Sequence, residues 1–354
     1  MSVHIAQTST ALPQHKRTTE EIIPYVEQWL ANEDERFRRK AIKIFRNAAI
    51  DQRYGIMPVE DVFTQTSFEE KNRIYAAEAR KLGKKVITEA LEKANWKAES
   101  LDYIISVSCT GIMIPSVDAY LINDLKLRQD IVRLPITEMG CVAGVSALIY
   151  AYQFLTAHPN KRAAILAIEA PTATFQHTDL SMTNIVSAAI FGDGAACVLL
   201  SSEENEADVL KPVVRDGAMY HFFDAAHMMG FDLTNNGLKM ILDPSVPETI
   251  QEHFPAIINP FLEKNGLDIP AVDHLIFHPG GKKIVQTVEE LFGVLGKNID
   301  DTKAVLSQCG NMSSATVLYV LHRFMHKELH TGDIGLMLSF GPGFTAQRVL
   351  LEWQ

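Results

Sequence analysis

Polar and apolar residues follow two different rhythms along this chain, and the change of rhythm divides it. From residue 18 to residue 95, apolar side chains recur every three or four positions among charges, in TTEEIIPYVEQWL, DERFRRKAIKIFRNA and SFEEKNRIYAAEARKLGKKVITEALEKA. That period marks amphipathic helices. Thr18 or Thr19 ahead of Glu20 and Glu21, and Ser67 ahead of Glu69 and Glu70, predict helix starts. A hydroxyl and a carboxylate there satisfy the free N–H groups of a first turn. Beyond residue 100 the pattern becomes short apolar runs beside glycine or charge, as in LDYIISVS, RAAILAIEA and GAACVLLSS. These predict buried strands. Strands separated by helices imply a layered α/β protein.

The polar, acidic stretch SSEENEADVLKP (201–212) ends at Pro212 and predicts a boundary between halves 1–210 and 211–354. An internal repeat points the same way. LEKANWKAESLDYIISVSCTG and LEKNGLDIPAVDHLIFHPGG both open on Leu-Glu-Lys and carry an aspartate before an apolar strand. Cys141 follows the first aspartate, Asp102, by 39 positions, and Asn311 follows the second, Asp273, by 38. Small-residue helices open from Gly140 and Gly310, and FGDG at Phe191 precedes a strand as FGPG at Phe340 does. Superimposable halves would place Cys141 and Asn311 at equivalent sites, and His278 at the end of the strand equivalent to the one ending near Cys109. A pseudo-twofold axis would bring them to one cleft.

Composition narrows the possibilities. With 47% hydrophobic and 21% charged residues, a large core is expected and disorder is not. A net charge of −10 argues against a nucleic-acid partner, which needs a dense basic face. The N-terminus lacks the charged leader and apolar run of a secretory signal. No uninterrupted apolar run reaches the roughly 18 residues of a membrane span. Cys109, Cys141, Cys197 and Cys309 lack the close spacing of a zinc site or disulfide framework. No metal is expected, and free thiols suit a reducing cytoplasm.

Cys141 follows TEMG and opens CVAGVSALIYAYQFL, a buried helix by its composition. A thiol at a helix N-terminus is held toward thiolate by the dipole, which suits a nucleophile. An inert core cysteine fits the local context equally well. His278 ends an apolar strand in LIFHPGGKKI, where it can reach a cleft or satisfy a turn. Asn311 in SQCGNMSSATVL is either a helix cap or an amide donor to a substrate oxygen. Only the repeat makes the three converge. His322, His326 and His330 share a helix face, but no other ligand cluster is tied to them, and a solvated face accounts for their spacing. FGDGAA precedes a strand rather than a helix, which excludes a phosphate loop.

GCVAG around Cys141, FGDGAA at Phe191, FHPGG at His278, GNMSSAT at Asn311 and FGPG at Phe340 together resemble the type III polyketide synthases, the chalcone synthase-like family. The resemblance spans nearly the whole chain in the family's order. It implies a thiolase-like αβαβα fold, a homodimer, and iterative use of malonyl-CoA on an acyl-CoA starter without carrier protein or added cofactor. It implies that Cys141 holds the starter and growing chain, while His278 and Asn311 drive malonyl decarboxylation and stabilise the enolate. Phe191 would be a gatekeeper, Met240 would replace a second gatekeeper Phe, and Pro342 would shape the cavity. Thr174 and Ser313 fall at substrate-pocket positions, and Lys40, Lys43 and Arg46 in RRKAIKIFRN match the family's CoA-phosphate patch.

The departures are informative. Cys109 and Thr110 stand where the family has Thr-Ser, Ile114 replaces a dimer-loop Met, and Phe231 falls at a cavity glycine. They argue against a plant-like p-coumaroyl pocket. SFEEKNRIY is similar to bacterial alkylpyrone and alkylresorcinol synthases, and favours a fatty acyl starter with a pyrone or resorcinol product. A ketoacyl-carrier-protein synthase III-like priming enzyme commonly has His-Gln-Ala-Asn where this chain has His-Pro-Gly-Gly. A non-catalytic assembly subunit would not need the intact triad.

Overall fold

The middle of the central sheet is a strand that the hydrophobic pattern does not announce. The computed structural model describes residues 2–64, 67–203, 209–293 and 297–354, so part of the expected boundary segment, 204–208, lies outside the described residues. The chain begins with β1 (Val3–Ala11), β2 (His15–Thr18), α1 (Thr19–Trp29), α2 (Glu35–Arg46), β3 (Gln52–Gly55), α3 (Val59–Val62) and α4 (Phe68–Ala94). It continues through β4 (Tyr103–Val107), α5 (Val117–Leu125), β5 (Val132–Ile136), α6 (Ala143–Ala157), β6 (Arg162–Glu169), α7 (Met182–Ile190) and β7 (Gly194–Ser201). Then come β8 (Pro212–His221), β9 (Met229–Thr234), β10 (Gly237–Leu242), α8 (Val246–Lys264), β11 (His274–Phe277) and α9 (Lys282–Gly293). The last elements are α10 (Asp300–Cys309), α11 (Ser314–Phe324), β12 (Ile334–Gly341) and β13 (Thr345–Trp353).

The helix starts form for the expected reason. Thr18 caps α1 in a reciprocal capping box with Glu21, and Ser67 accepts from the Glu70 N–H at the head of α4. The three apolar runs are β4, β6 and β7, buried along nearly their whole lengths. β1 was hidden because VHIAQTSTA reads as polar, yet Thr8 and Ser9 are buried. The Ser9 hydroxyl donates to the Val86 carbonyl, so its burial leaves no polar group unsatisfied.

Nine strands form one sheet in the order β11-β12-β13-β8-β1-β7-β6-β4-β5. Read outward from the β1–β8 junction, the two sides wind alike. The first strand of each half is innermost, its last strand is next, and parallel strands lie beyond. Alternation along the strands sorts side chains into layers. In β6, Ala163, Ile165 and Ala167 enter the central core with α6 and α11, while Ala164, Leu166 and Ile168 face α4 and α5. In β12, Met337 enters that same central core, while Leu336 and Leu338 face α8 and α9. Helix, sheet, helix, sheet, helix is the αβαβα arrangement.

The two central helices approach closely at Gly144. Any Cβ there would collide with the Ser314 backbone carbonyl, so a side chain would push α6 off α11. The segment Gly140–Ala157 has a mean hydropathy of 1.4, high enough for a membrane helix. Its place between the two leaves of the sheet accounts for that apolarity, because both of its faces meet core.

Candidate active site

The site forms where both halves direct their loops to one end of the sheet. Cys141 lies in the single turn Gly140–Val142 that leads into α6. Gly140 has φ +55° there, and an added Cβ would lie 2.5 Å from Pro342 Cγ. Glycine is therefore required twice over, for its backbone conformation and for the close approach of the turn after β12. The Ser339 hydroxyl donates to the Cys141 carbonyl at 2.9 Å and ties the turn to β12.

The Cys141 thiol opens into a cavity with about 310 Å³ of empty space, lined also by Cys109, Phe191, Phe231, Met240, Ser313 and Pro342. Phe191 and Met240 are shared with a neighbouring cavity of about 490 Å³, and Thr174 lines only that second one. These two side chains form the partition between the chambers. Ser313 adopts φ +49°, a strained conformation for serine. This holds its hydroxyl 3.6 Å from Cys141 Sγ and 3.2 Å from Cys109 Sγ.

Asn311 precedes α11 rather than capping it. Its Oδ1 accepts from the Ser313 N–H at 2.8 Å, and its Nδ2 donates to the Gly280 carbonyl at 3.1 Å. Its backbone pairs with Phe191, since Asn311 N–H donates to Ile190 and Gly192 N–H donates to Asn311. His278 leaves β11 fully buried, and neither ring nitrogen has a partner among the described residues. Contacts thus run from Cys141 through Ser313 and Asn311 to Gly280, two residues beyond His278.

Burial acts on both Cys141 and His278. Cys141 retains some exposed surface, yet its sulfur is enclosed, and burial pushes the thiol up to about 12. The Ser313 hydroxyl opposes that shift and the charge of Glu169 adds to it. Burial therefore opposes the thiolate that a helix start would favour. Burial also lowers the His278 imidazole to about 3, so the resting ring is neutral. This affects stability with a definite sign. Below pH 6.5 the unfolded chain binds a proton at this position that the folded one refuses until about pH 3. Stability should fall by about 1.4 kcal/mol per pH unit across that window. His278→Gln should flatten this part of the acid limb in thermal melts taken from pH 7 to pH 4. An unchanged slope would show that the ring titrates normally.

Glu169, at the end of β6, escaped the sequence reading. It is fully buried and accepts from Thr110 Oγ1 at 2.7 Å, Ser314 Oγ at 2.5 Å and the Cys109 N–H at 3.1 Å. It therefore fixes the loop after β4 to the head of α11. Its one sequence signal is an acid inside the apolar run RAAILAIEA. Other predicted residues lie outside the cavity. Ile114 is 93% exposed and reaches no part of this chain's site. Lys40 and Lys43 are exposed on α2 without a carboxylate partner among the described residues. The Arg46 guanidinium donates two hydrogen bonds to Glu20 in an exposed pair on the same surface.

Residues 3–204 match the N-terminal domain of chalcone and stilbene synthases, and residues 218–353 match the C-terminal domain. The chain belongs to the chalcone and stilbene synthase family. Among the curated relatives, the phloroglucinol synthase of Pseudomonas fluorescens is 30% identical over 342 residues, covering 96% of both chains. The 1,3,6,8-tetrahydroxynaphthalene synthase of Streptomyces coelicolor is 31% identical over 358 residues, covering 99% of this chain and 92% of the relative. The crystal structure of that synthase, a bacterial type III polyketide synthase, superposes with a TM-score of 0.92 at 30% identity over 99% of both chains. The fold is that of these synthases, and the protein is a type III polyketide synthase, a condensing acyltransferase.

Proposed function

We propose that the enzyme loads an acyl group from its CoA thioester onto Cys141 and extends it with malonyl-CoA, using no added cofactor. The observation that carries this reading is the linkage of Cys141, Ser313 and Asn311 beside a buried, unpaired, neutral His278. In the loading step, His278 takes the thiol proton as sulfur attacks the starter carbonyl, and CoA thiolate leaves. In extension, malonyl thioester loses CO₂ and the electron pair of the broken C–C bond becomes an enolate. Asn311 Nδ2–H and a ring N–H of His278 stabilise that oxygen. The enolate carbon attacks the Cys141 thioester, a C–C bond forms, and the C–S bond breaks. Largely apolar walls keep water from the carbanion.

The starter follows from two opposing observations. The apolar cavity and SFEEKNRIY support a fatty acyl group and a pyrone or resorcinol product. The relatives' named products, phloroglucinol and tetrahydroxynaphthalene, are hydroxylated rings without an alkyl tail, and they support a short starter. Purified protein given malonyl-CoA and acyl-CoAs from acetyl to long-chain decides between them by product mass. Turnover only with malonyl on carrier protein would replace this reading with a priming condensing enzyme. The exposed Ile114 supports a homodimer, with this loop meeting the partner, and the four free thiols support a reducing cytoplasm.

A further inference from the structure

Lys282 and Lys283 open α9 immediately after Gly280 and Gly281, and both side chains are exposed. The Gly280 carbonyl accepts from the Asn311 amide, so at most about 7 Å of backbone separates this hydrogen bond from Lys282. Lys282 also lines a surface groove whose opposite walls are Ala49 and Asp51, beyond α2, and Lys303 and Ser307 of α10. Lys40 and Lys43 stand one turn apart on α2, and Lys43 precedes Ala49 by roughly 10 Å of chain. The groove therefore lies between the segment that follows α2 and the head of α9. Its two carboxylates are engaged within the groove. Glu289 pairs with Lys303, and Asp51 accepts from the Ser307 hydroxyl at 2.7 Å. Among the described residues, neither Lys282 nor Lys283 forms an ion pair.

A thioester whose carbonyl sits at Asn311 and His278 must leave its nucleotide outside, and its phosphates need cations where the chain first reaches the surface. We propose that Lys282 and Lys283 form the subsite for the diphosphate of the CoA thioester, with Lys40 and Lys43 left for the phosphate on the ribose. This rests on the CoA-thioester reading above.

The test is a charge reversal, Lys282→Glu with Lys283→Glu, assayed with malonyl-CoA, malonyl-dephospho-CoA and malonyl-pantetheine. KM should rise about tenfold for both nucleotide substrates with kcat within about twofold, and the rise should shrink in high salt. Malonyl-pantetheine, which lacks the diphosphate, should show no rise. Lys85→Glu, the same charge change on the exposed face of α4, should leave all three unchanged. A double Lys→Arg variant should keep KM, and it serves if the glutamate variant folds poorly. An equal penalty with malonyl-pantetheine, or no penalty with malonyl-CoA, would overturn the subsite. A penalty absent with the dephospho substrate would overturn the diphosphate assignment. Failure of the wild type to use malonyl-CoA at all would instead sink the functional reading.

Discussion

Cys141→Ala should abolish acyl transfer while leaving malonyl decarboxylation measurable. No other group in the cavity replaces the lost sulfur. Cys109, the other thiol there, is held above its ordinary range by burial and then by the Glu169 charge. Product formation should fall by at least about 10³–10⁴-fold, as for removal of a covalent nucleophile. Decarboxylation needs only a donor pair at the enolate oxygen, and both donors lie outside the turn that carries Cys141. Incubation with acyl-CoA followed by intact mass measurement should show the acyl adduct on wild type and none on the variant. An adduct of normal yield on the variant would place the nucleophile elsewhere.

Asn311→Ala should have the second largest effect, and should strike the step that Cys141→Ala spares. Nδ2 is the amide donor aimed along Gly280, and Oδ1 holds the Ser313 N–H that keeps a strained serine beside Cys141. Loss of one enolate donor costs about 10²–10³-fold in rate. CO₂ release from malonyl-CoA should fall by that factor, while acyl loading of Cys141 falls far less. Equal losses in both steps would mean that the substitution collapses the loop rather than removing a donor.

The sequence made some parts of this molecule legible and hid others for physical reasons. Helices with a wet face and strands with two dry faces announce themselves, as α4, β6 and β7 do. β1 did not, because its buried Thr8 and Ser9 satisfy their hydroxyls within the structure, and a residue string does not display that. The motifs around Cys141, His278 and Asn311 marked the segments that the structure links through Ser313 and Gly280. The burial that opposes a Cys141 thiolate was not legible, because a helix start is visible in a sequence while the enclosure of the sulfur is not. Glu169 was missed since its four hydrogen-bonding neighbours lie 59 to 145 positions away. Arg46 looked like a free cation until Glu20, 26 residues earlier, was found against it.

The pairing of Phe191 with Asn311 has a consequence for timing. Phe191 walls the thiol chamber while its backbone shares a rung with Asn311, the residue proposed to steady the enolate. Two backbone hydrogen bonds pin that rung, so opening the wall by moving the main chain would drag the amide out of register. In the proposed reaction, passage between the chambers is then left to side-chain rotation at Phe191 and Met240, movements small enough to leave the main chain aligned.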